Sequence, residues 1–206
     1  MNMNEYEKIK DLNYFQYCNY LQSKYGIGKC DYMTKNWRKN STITRTNEGL
    51  ICHHKYEYCA MRLSDIECAK NHPYYFQLAK NIVYCDYLEH LFLHILICEI
   101  ICKNNIQAPF GIGGIFDFII PELNDVYSGW KTNENWRKNC HSIILNDKNV
   151  YLVLLKRFKK VFNDNDFYHE FYDEDCFYSS FNEENSNEQN WSRLNNIELF
   201  TEISQL

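Results

Sequence analysis

The sequence predicts an α+β fold: two short strands and a capped, strongly apolar helix set in a mostly helical domain. Three observations carry this. Residues 49–54 and 81–85 are β-rich runs too short to be helices. Asp86, with Glu89 three residues later, forms a capping box at the head of a run that stays apolar to about Lys103. Residues 5–25 and 150–162 repeat their apolar side chains at helical spacing.

In chain order, residues 5–25 read as one amphipathic helix built on Ile9, Leu12, Phe15, Tyr17, Tyr20 and Leu21, stopped by Gly26 and Gly28. Segment 31–45 then turns basic and polar. Its Lys35, Trp37, Arg38, Lys39 and Arg45 are candidate nucleic-acid contacts, because cations around an aromatic ring hold phosphates and stack on a base or sugar. A solvated connecting loop is the alternative. Gly-Leu-Ile-Cys-His-His at 49–54 is the first strand, and residues 55–80 form a long insertion. A short helix over 64–70, opened by a Ser64–Glu67 capping box, lies within it, and Pro73 marks a boundary.

The second strand begins at Asn81, and the helix from Asp86 carries His90 and His94 four residues apart on one face. That helix is apolar almost all round, which predicts burial on most sides. Gly111-Ile112-Gly113-Gly114 lacks the lysine and the glycine register of a phosphate loop, so it is a turn or a site of tight packing. Residues 117–148 are mixed and include a basic Trp136-Arg137-Lys138. The final predicted helix, 150–162, bears Lys156, Arg157, Lys159 and Lys160 as either a phosphate-contacting or an ordinary solvated face.

Length and composition bound the rest. With 206 residues and 45% apolar content, the chain is one domain with a tail, divided at 1–47, 48–104, 105–162 and 163–206. Its 17 Tyr and 13 Phe predict an aromatic core whose hydroxyls need partners. The longest apolar run, 91–102, is too short to cross a bilayer, so no membrane is expected as a partner. The polar start is not an export signal, which makes a cytoplasmic location the expectation. Ten cysteines without a C-x-x-C pair are then expected to stay reduced. The net charge of -5 conceals a division: residues 161–206 hold 11 acids and one base, Arg193, leaving the remainder net basic by 5. A basic body suits a polyanion. The acidic, aromatic tail is expected to be partly disordered, to pack on the body for structural reasons, or to dock on the chain's own basic, nucleic-acid-binding face.

The histidines carry the chemistry. Phosphodiester hydrolysis needs an activated water, neutralisation of the scissile phosphate and stabilisation of the departing 3′ oxygen. A divalent ion supplies the last two and a neutral imidazole the first. His90 and His94 offer two ligands from one rigid face. The strand ending in His53-His54 is the obvious source of a third, because adjacent strand residues point opposite ways. His72, His141 and His169 lack this context.

The order His53-His54, then Asn81 opening a short strand, then Glu89-His90 and His94 on the following helix resembles the HNH endonuclease superfamily. It is similar to colicin-type DNases and to the HNH enzymes of phages and mobile elements. The likeness covers about 50 of the 206 residues. It implies a ββα-metal nuclease core, with His53, His90 and His94 as metal ligands and His54 as the general base. Asn81 would hold the base-bearing loop by side-chain hydrogen bonds. The interval between His54 and Asn81 is longer than the compact family pattern, and no paired C-x-x-C knuckles accompany it.

The resemblance implies an HNH-type enzyme that hydrolyses DNA with one divalent ion (Mg, Mn, Zn or Ni), in a restriction, mobile-element or phage-defence role. Its partners are then DNA, or RNA in a toxin nuclease, and a second copy of the chain if both strands are cut. A non-catalytic, zinc-stabilised nucleic-acid-binding module is the alternative from another class. His54 separates them, since a structural zinc site has no use for an unligated histidine.

Overall fold

The computed structural model describes residues 1–179 and 193–206. It is mostly helical, with one small antiparallel sheet of β1 (Ile51–His54) and β2 (Ile82–Cys85). The helices are α1 (Met3–Ile9), α2 (Tyr14–Tyr25), α3 (Ile66–Ala69), α4 (Tyr87–Lys103), α5 (Ile112–Gly114), α6 (Ile120–Tyr127), α7 (Asn135–Ser142), α8 (Lys148–Asn163) and α9 (Arg193–Ser204). A π-helical turn, Ile115–Ile119, joins α5 to α6.

The strands pair in the register Ile51↔Cys85, Cys52↔Tyr84, His53↔Val83 and His54↔Ile82. Alternation along β2 sends Val83 and Cys85 into the main core. It sends Ile82 and Tyr84 into a smaller cluster with Tyr32, Met33, Ile43 and Leu50. Across the pair, His53 therefore shares the main-core face with Val83, and His54 faces the other way.

α4 follows β2 directly and is the central element. Asp86 accepts from the Glu89 N–H at 2.7 Å and the Glu89 side chain accepts from the Asp86 N–H at 2.8 Å, so two of the helix's orphan donors are satisfied. Leu88, Leu91, Phe92, Leu93, Ile95 and Ile97 are fully buried, packed between α2, α8 and the π-helical turn. At about 1.5–3 kcal/mol for each large apolar side chain, α4 is where most of the stability that holds the histidines is concentrated.

Several boundaries differ from the sequence expectation. Segment 5–25 is two helices: α1 closes at Lys10, and Asn13 opens α2 with its own capping box to Gln16. The apolar spacing runs on across this break, so periodicity alone hides it. Gly49 takes φ 78, a left-handed turn that glycine adopts without strain, and β1 starts after it. Asp65, not Ser64, caps α3, accepting from the Cys68 N–H at 3.0 Å. Asn81 ends a 3₁₀ turn just before β2. All ten cysteines are free. Among the described residues no helix is long and apolar enough to cross a membrane.

The described parts of the acidic tail contribute side chains to the core. Tyr168 and Phe177 are buried, Phe177 against Phe116, Phe158 and Phe162, and α9 lays Leu199 and Ile203 inward. Phe181 and the low-complexity run 183–190 lie outside the described residues.

Candidate metal centre

The end of β1 and the first turns of α4 bring His53, His90 and His94 together. Their ring centroids are 5.3 Å (His53–His90), 5.2 Å (His53–His94) and 4.7 Å (His90–His94) apart. Glu57 joins them from the turn after β1, where its N–H donates to the His54 carbonyl at 3.0 Å. Its Oε2 lies 3.4 Å from His53 Nδ1 and 3.2 Å from His94 Nε2, while Oε1 accepts from the His54 N–H at 3.1 Å. One ligand atom from each of His53, Glu57, His90 and His94 falls within 4.8 Å of all the others.

Hydrogen bonds outside the cluster orient two of the rings. The Tyr14 hydroxyl lies 2.8 Å from His53 Nε2 and also reaches the Lys55 carbonyl at 3.1 Å and the His54 carbonyl at 3.4 Å. When its one proton goes to a carbonyl, its oxygen accepts from His53 Nε2–H and His53 Nδ1 turns a lone pair toward Glu57. The Gly111 carbonyl accepts from His94 Nδ1–H at 2.9 Å, which frees His94 Nε2 toward the same point. Glycine is required here: a Cβ on Gly114 would lie 2.3 Å from His94 Cε1. The Gly111–Gly114 segment is thus the tight packing the sequence predicts, and what it packs is a ligand candidate.

This set fits a divalent ion. His53 Nδ1, His90 Nδ1 and His94 Nε2 are buried without hydrogen-bond partners. Each unpartnered buried nitrogen costs about 1–3 kcal/mol, a sum that a bound cation offsets. Ligands at ~2.1 Å from a tetrahedral ion are about 3.4 Å apart, so the cluster needs only small side-chain shifts to close on one. Burial pushes His53 down to about 3, and burial with the neighbouring His94 and His53 rings pushes His90 well below the ordinary imidazole range, so both are neutral and able to ligate. Burial raises the Glu57 carboxyl, and protons on the facing His53, His54 and His94 rings would pull it well below the usual carboxylate range; with those rings neutral, a bound cation is the group that would hold it ionised.

His54 stands beside the cluster. Gln77 donates to the Leu63 carbonyl at 3.1 Å, which orients its Oε1 to accept from His54 Nε2–H at 3.2 Å. His54 Nδ1 therefore carries the lone pair, unpartnered and 3.4 Å from Glu57 Oε1. The Asn81 side chain donates to the Tyr75 carbonyl at 2.7 Å, bracing the turn that carries Gln77, while its backbone carbonyl accepts from the Lys55 N–H at 2.9 Å. Contact with the turn after His54 is thus made by the backbone of Asn81, and the side chain acts one step away.

His54, Glu57, His90 and His94 line a cleft of about 800 Å³. None of Lys35, Trp37, Arg38, Lys39 and Arg45 lines it. Arg45 is spent inside the fold: it pairs with Glu48, donates to the Tyr25 carbonyl and lies over the Tyr84 ring at 4.7 Å. Trp37 packs edge-on to Tyr74 at 5.6 Å. Lys35, Arg38 and Lys39 are exposed, and Lys39 lies over Tyr32, whose ring meets His54 at 4.4 Å. On the helix face expected to be basic, Arg157 is committed to Glu99 at 2.6 and 2.9 Å. His72, His141 and His169 stand outside the cluster.

Glu57, Tyr14 and Gln77 were not legible as site residues. Glu57 has a faint signal, a carboxylate four residues after His53 in a turn; the other two have none. Compared with family models, with curated proteins and with solved structures, the chain matches none.

Proposed function

We propose that this chain is a metal-dependent, HNH-type endonuclease that hydrolyses DNA phosphodiester bonds within a ββα-metal core. One observation carries the reading: ligand nitrogens of three histidines converge with Glu57 at a cleft, beside a fourth histidine that is oriented but unpartnered. A divalent ion held by His53, Glu57, His90 and His94 supplies Lewis-acid neutralisation of the scissile phosphate and of the departing oxygen.

The other roles belong to the chain itself. His54 Nδ1 takes the proton of the attacking water, with Gln77 holding the opposite ring N–H. Glu57 Oε1, 3.4 Å away, stabilises the imidazolium that results. Asn81 holds Gln77's turn through Tyr75. A purely structural ion would leave the Gln77–His54 pair and the open cleft without use, which favours catalysis over a zinc-stabilised binding module.

The test pairs metal content with plasmid nicking. His54→Ala is expected to keep the metal and to lose nicking by on the order of 10²-fold or more. His90→Ala and His94→Ala are expected to lose both. Undiminished nicking by the His54 variant, or no cutting of either plasmid or single-stranded DNA by the wild type with any divalent ion, sinks the proposal.

A further inference from the structure

The cleft is poorly suited to a duplex. Among its lining residues Glu57, Asp65 and Asp117 are carboxylates, and Arg62 is the one Lys or Arg. Duplex DNA draws its affinity from many phosphate contacts, each releasing counterions, and this surface offers one cation beyond a metal. Its volume, about 800 Å³, lies within the roughly 300–1,000 Å³ of pockets that enclose small ligands. It has room for a nucleotide or two and not for a double helix.

What the rim does offer is aromatic surface. Phe118 is 71% exposed and Phe171 54% exposed, and both line the cleft that holds the histidines. Phe118 lies in the π-helical turn, whose Ile115, Phe116 and Ile119 are all buried. Its ring alone in that turn is turned out to water, beside a site, where an exposed phenyl is informative. Phe171 approaches from the tail segment, whose Tyr172 hydroxyl donates to Asp117 at 3.1 Å and so ties that segment to the π-helical turn. Arg62 has φ 55, a conformation uncommon for a large side chain. Its side chain is 71% exposed and its ion pair with Asp65 is at 4.0 Å, which leaves the guanidinium available to an anion in the cleft.

We propose that the substrate is an unpaired DNA strand whose bases stack on Phe118 and Phe171 while Arg62 takes a flanking phosphate. The inference rests on the nuclease reading above and narrows it to single-stranded or locally opened DNA. Stacking needs a base whose face is free, which a duplex withholds and a single strand presents. Stacking is also sequence-tolerant, so little base preference is expected.

The experiment uses the full chain carrying His54→Ala, loaded with Mn²⁺, and a 2-aminopurine single-stranded DNA, the same sequence as RNA, and its duplex. The single-stranded DNA is expected to bind at least tenfold tighter than the duplex, with quenching of the fluorophore. On this background Phe118→Ala and Phe171→Ala should each weaken single-strand binding by roughly 5- to 100-fold, and Phe118→Trp should restore it. Salt should weaken binding with the shallow slope of one or two phosphate contacts, near −1 on logarithmic axes. Duplex bound as tightly as single strand, or alanine variants that bind normally, overturns the proposal. Equal dependence on the rings with RNA bound more tightly than DNA assigns the cleft to RNA and overturns the DNA arm. If the wild-type chain cuts no substrate yet ring-dependent binding persists, the nuclease reading falls and the single-strand site stands. If the wild type cuts duplex while ignoring single strands, the reverse holds.

Discussion

Tyr14 on α2 and His53 at the end of β1 meet through a 2.8 Å hydrogen bond between the tyrosine hydroxyl and the ring Nε2. The contact ties the N-terminal helices to the candidate metal centre and leaves His53 Nδ1 turned toward Glu57. Tyr14→Phe removes the hydroxyl while keeping the ring. It is expected to lower metal affinity by about 10- to 100-fold, as loss of an outer-shell partner does. The stability of the metal-free chain should fall by only about 1–3 kcal/mol. Calorimetric metal titration beside denaturant melts measures both. A melt that shifts while metal affinity holds would reduce Tyr14 to a packing role.

Gly113 and Gly114 form a second contrast. A Cβ at Gly114 would stand 2.3 Å from Cε1 and 2.6 Å from Nδ1 of His94, whereas at Gly113 its nearest neighbour is the Tyr172 hydroxyl at 3.2 Å. Gly114→Ala must displace the imidazole, so metal binding and nicking should both drop by at least tenfold. Gly113→Ala asks only for a shift of a few tenths of an ångström in a side-chain end and should stay within about twofold. Equal behaviour of the two variants in metal titration would mean that the His94 ring is not held where the centre needs it.

These contacts mark how far the sequence alone could be read. Asp86 and Glu89 announce the start of α4 because capping is a local interaction over three residues. The approach of His53 to His90 and His94 follows from strand alternation and helical spacing. The break at Asn13 was hidden because its cap competes with an apolar periodicity that continues through it. Glu57 was hidden because a tight turn, and no periodic element, aims it back at the strand it leaves. Charge misled at Arg45: a cation's number says nothing of its partners, and Glu48, three residues on, claims it.

Away from the centre, Glu122 on α6 binds α7 through Arg137, which donates to both carboxylate oxygens, and through His141 Nε2 at 2.5 Å. Burial opposes its ionisation, but these two partners outweigh burial and hold its carboxyl below the ordinary carboxylate range. The folded state thus releases this proton more readily than the unfolded chain. Its stabilisation is complete above the unfolded value and is lost as the pH falls through the folded one. Glu122→Gln should lower the melting temperature at neutral pH and flatten its dependence on pH from about 5 to 3. A variant whose melting curve keeps the wild-type slope in that window refutes the assignment.

The acidic tail gives the last contrast, between restraint and support. If it only shielded a DNA-binding face, removing residues 173–206 would speed cutting and tighten DNA binding, most at low salt where screening is weakest. The described contacts point to support. Phe177 is 3% exposed among Phe116, Phe158 and Phe162, and Tyr178 packs on Phe200 of α9 at 4.6 Å. Asn124, fully buried, donates to the carbonyls of Phe177 and Ser179 at 3.2 and 2.8 Å while accepting from the Tyr151 hydroxyl at 2.6 Å. Truncation would open a cavity beside α8 and strand the Asn124 amide. Phe177→Ala alone should cost about 3–5 kcal/mol, a large share of the ~5–15 kcal/mol that holds a domain together. The truncated chain is accordingly expected to lose its cooperative melt and its metal together. A truncated chain that melts as sharply as the whole, and cuts faster at low salt, would make restraint the tail's role.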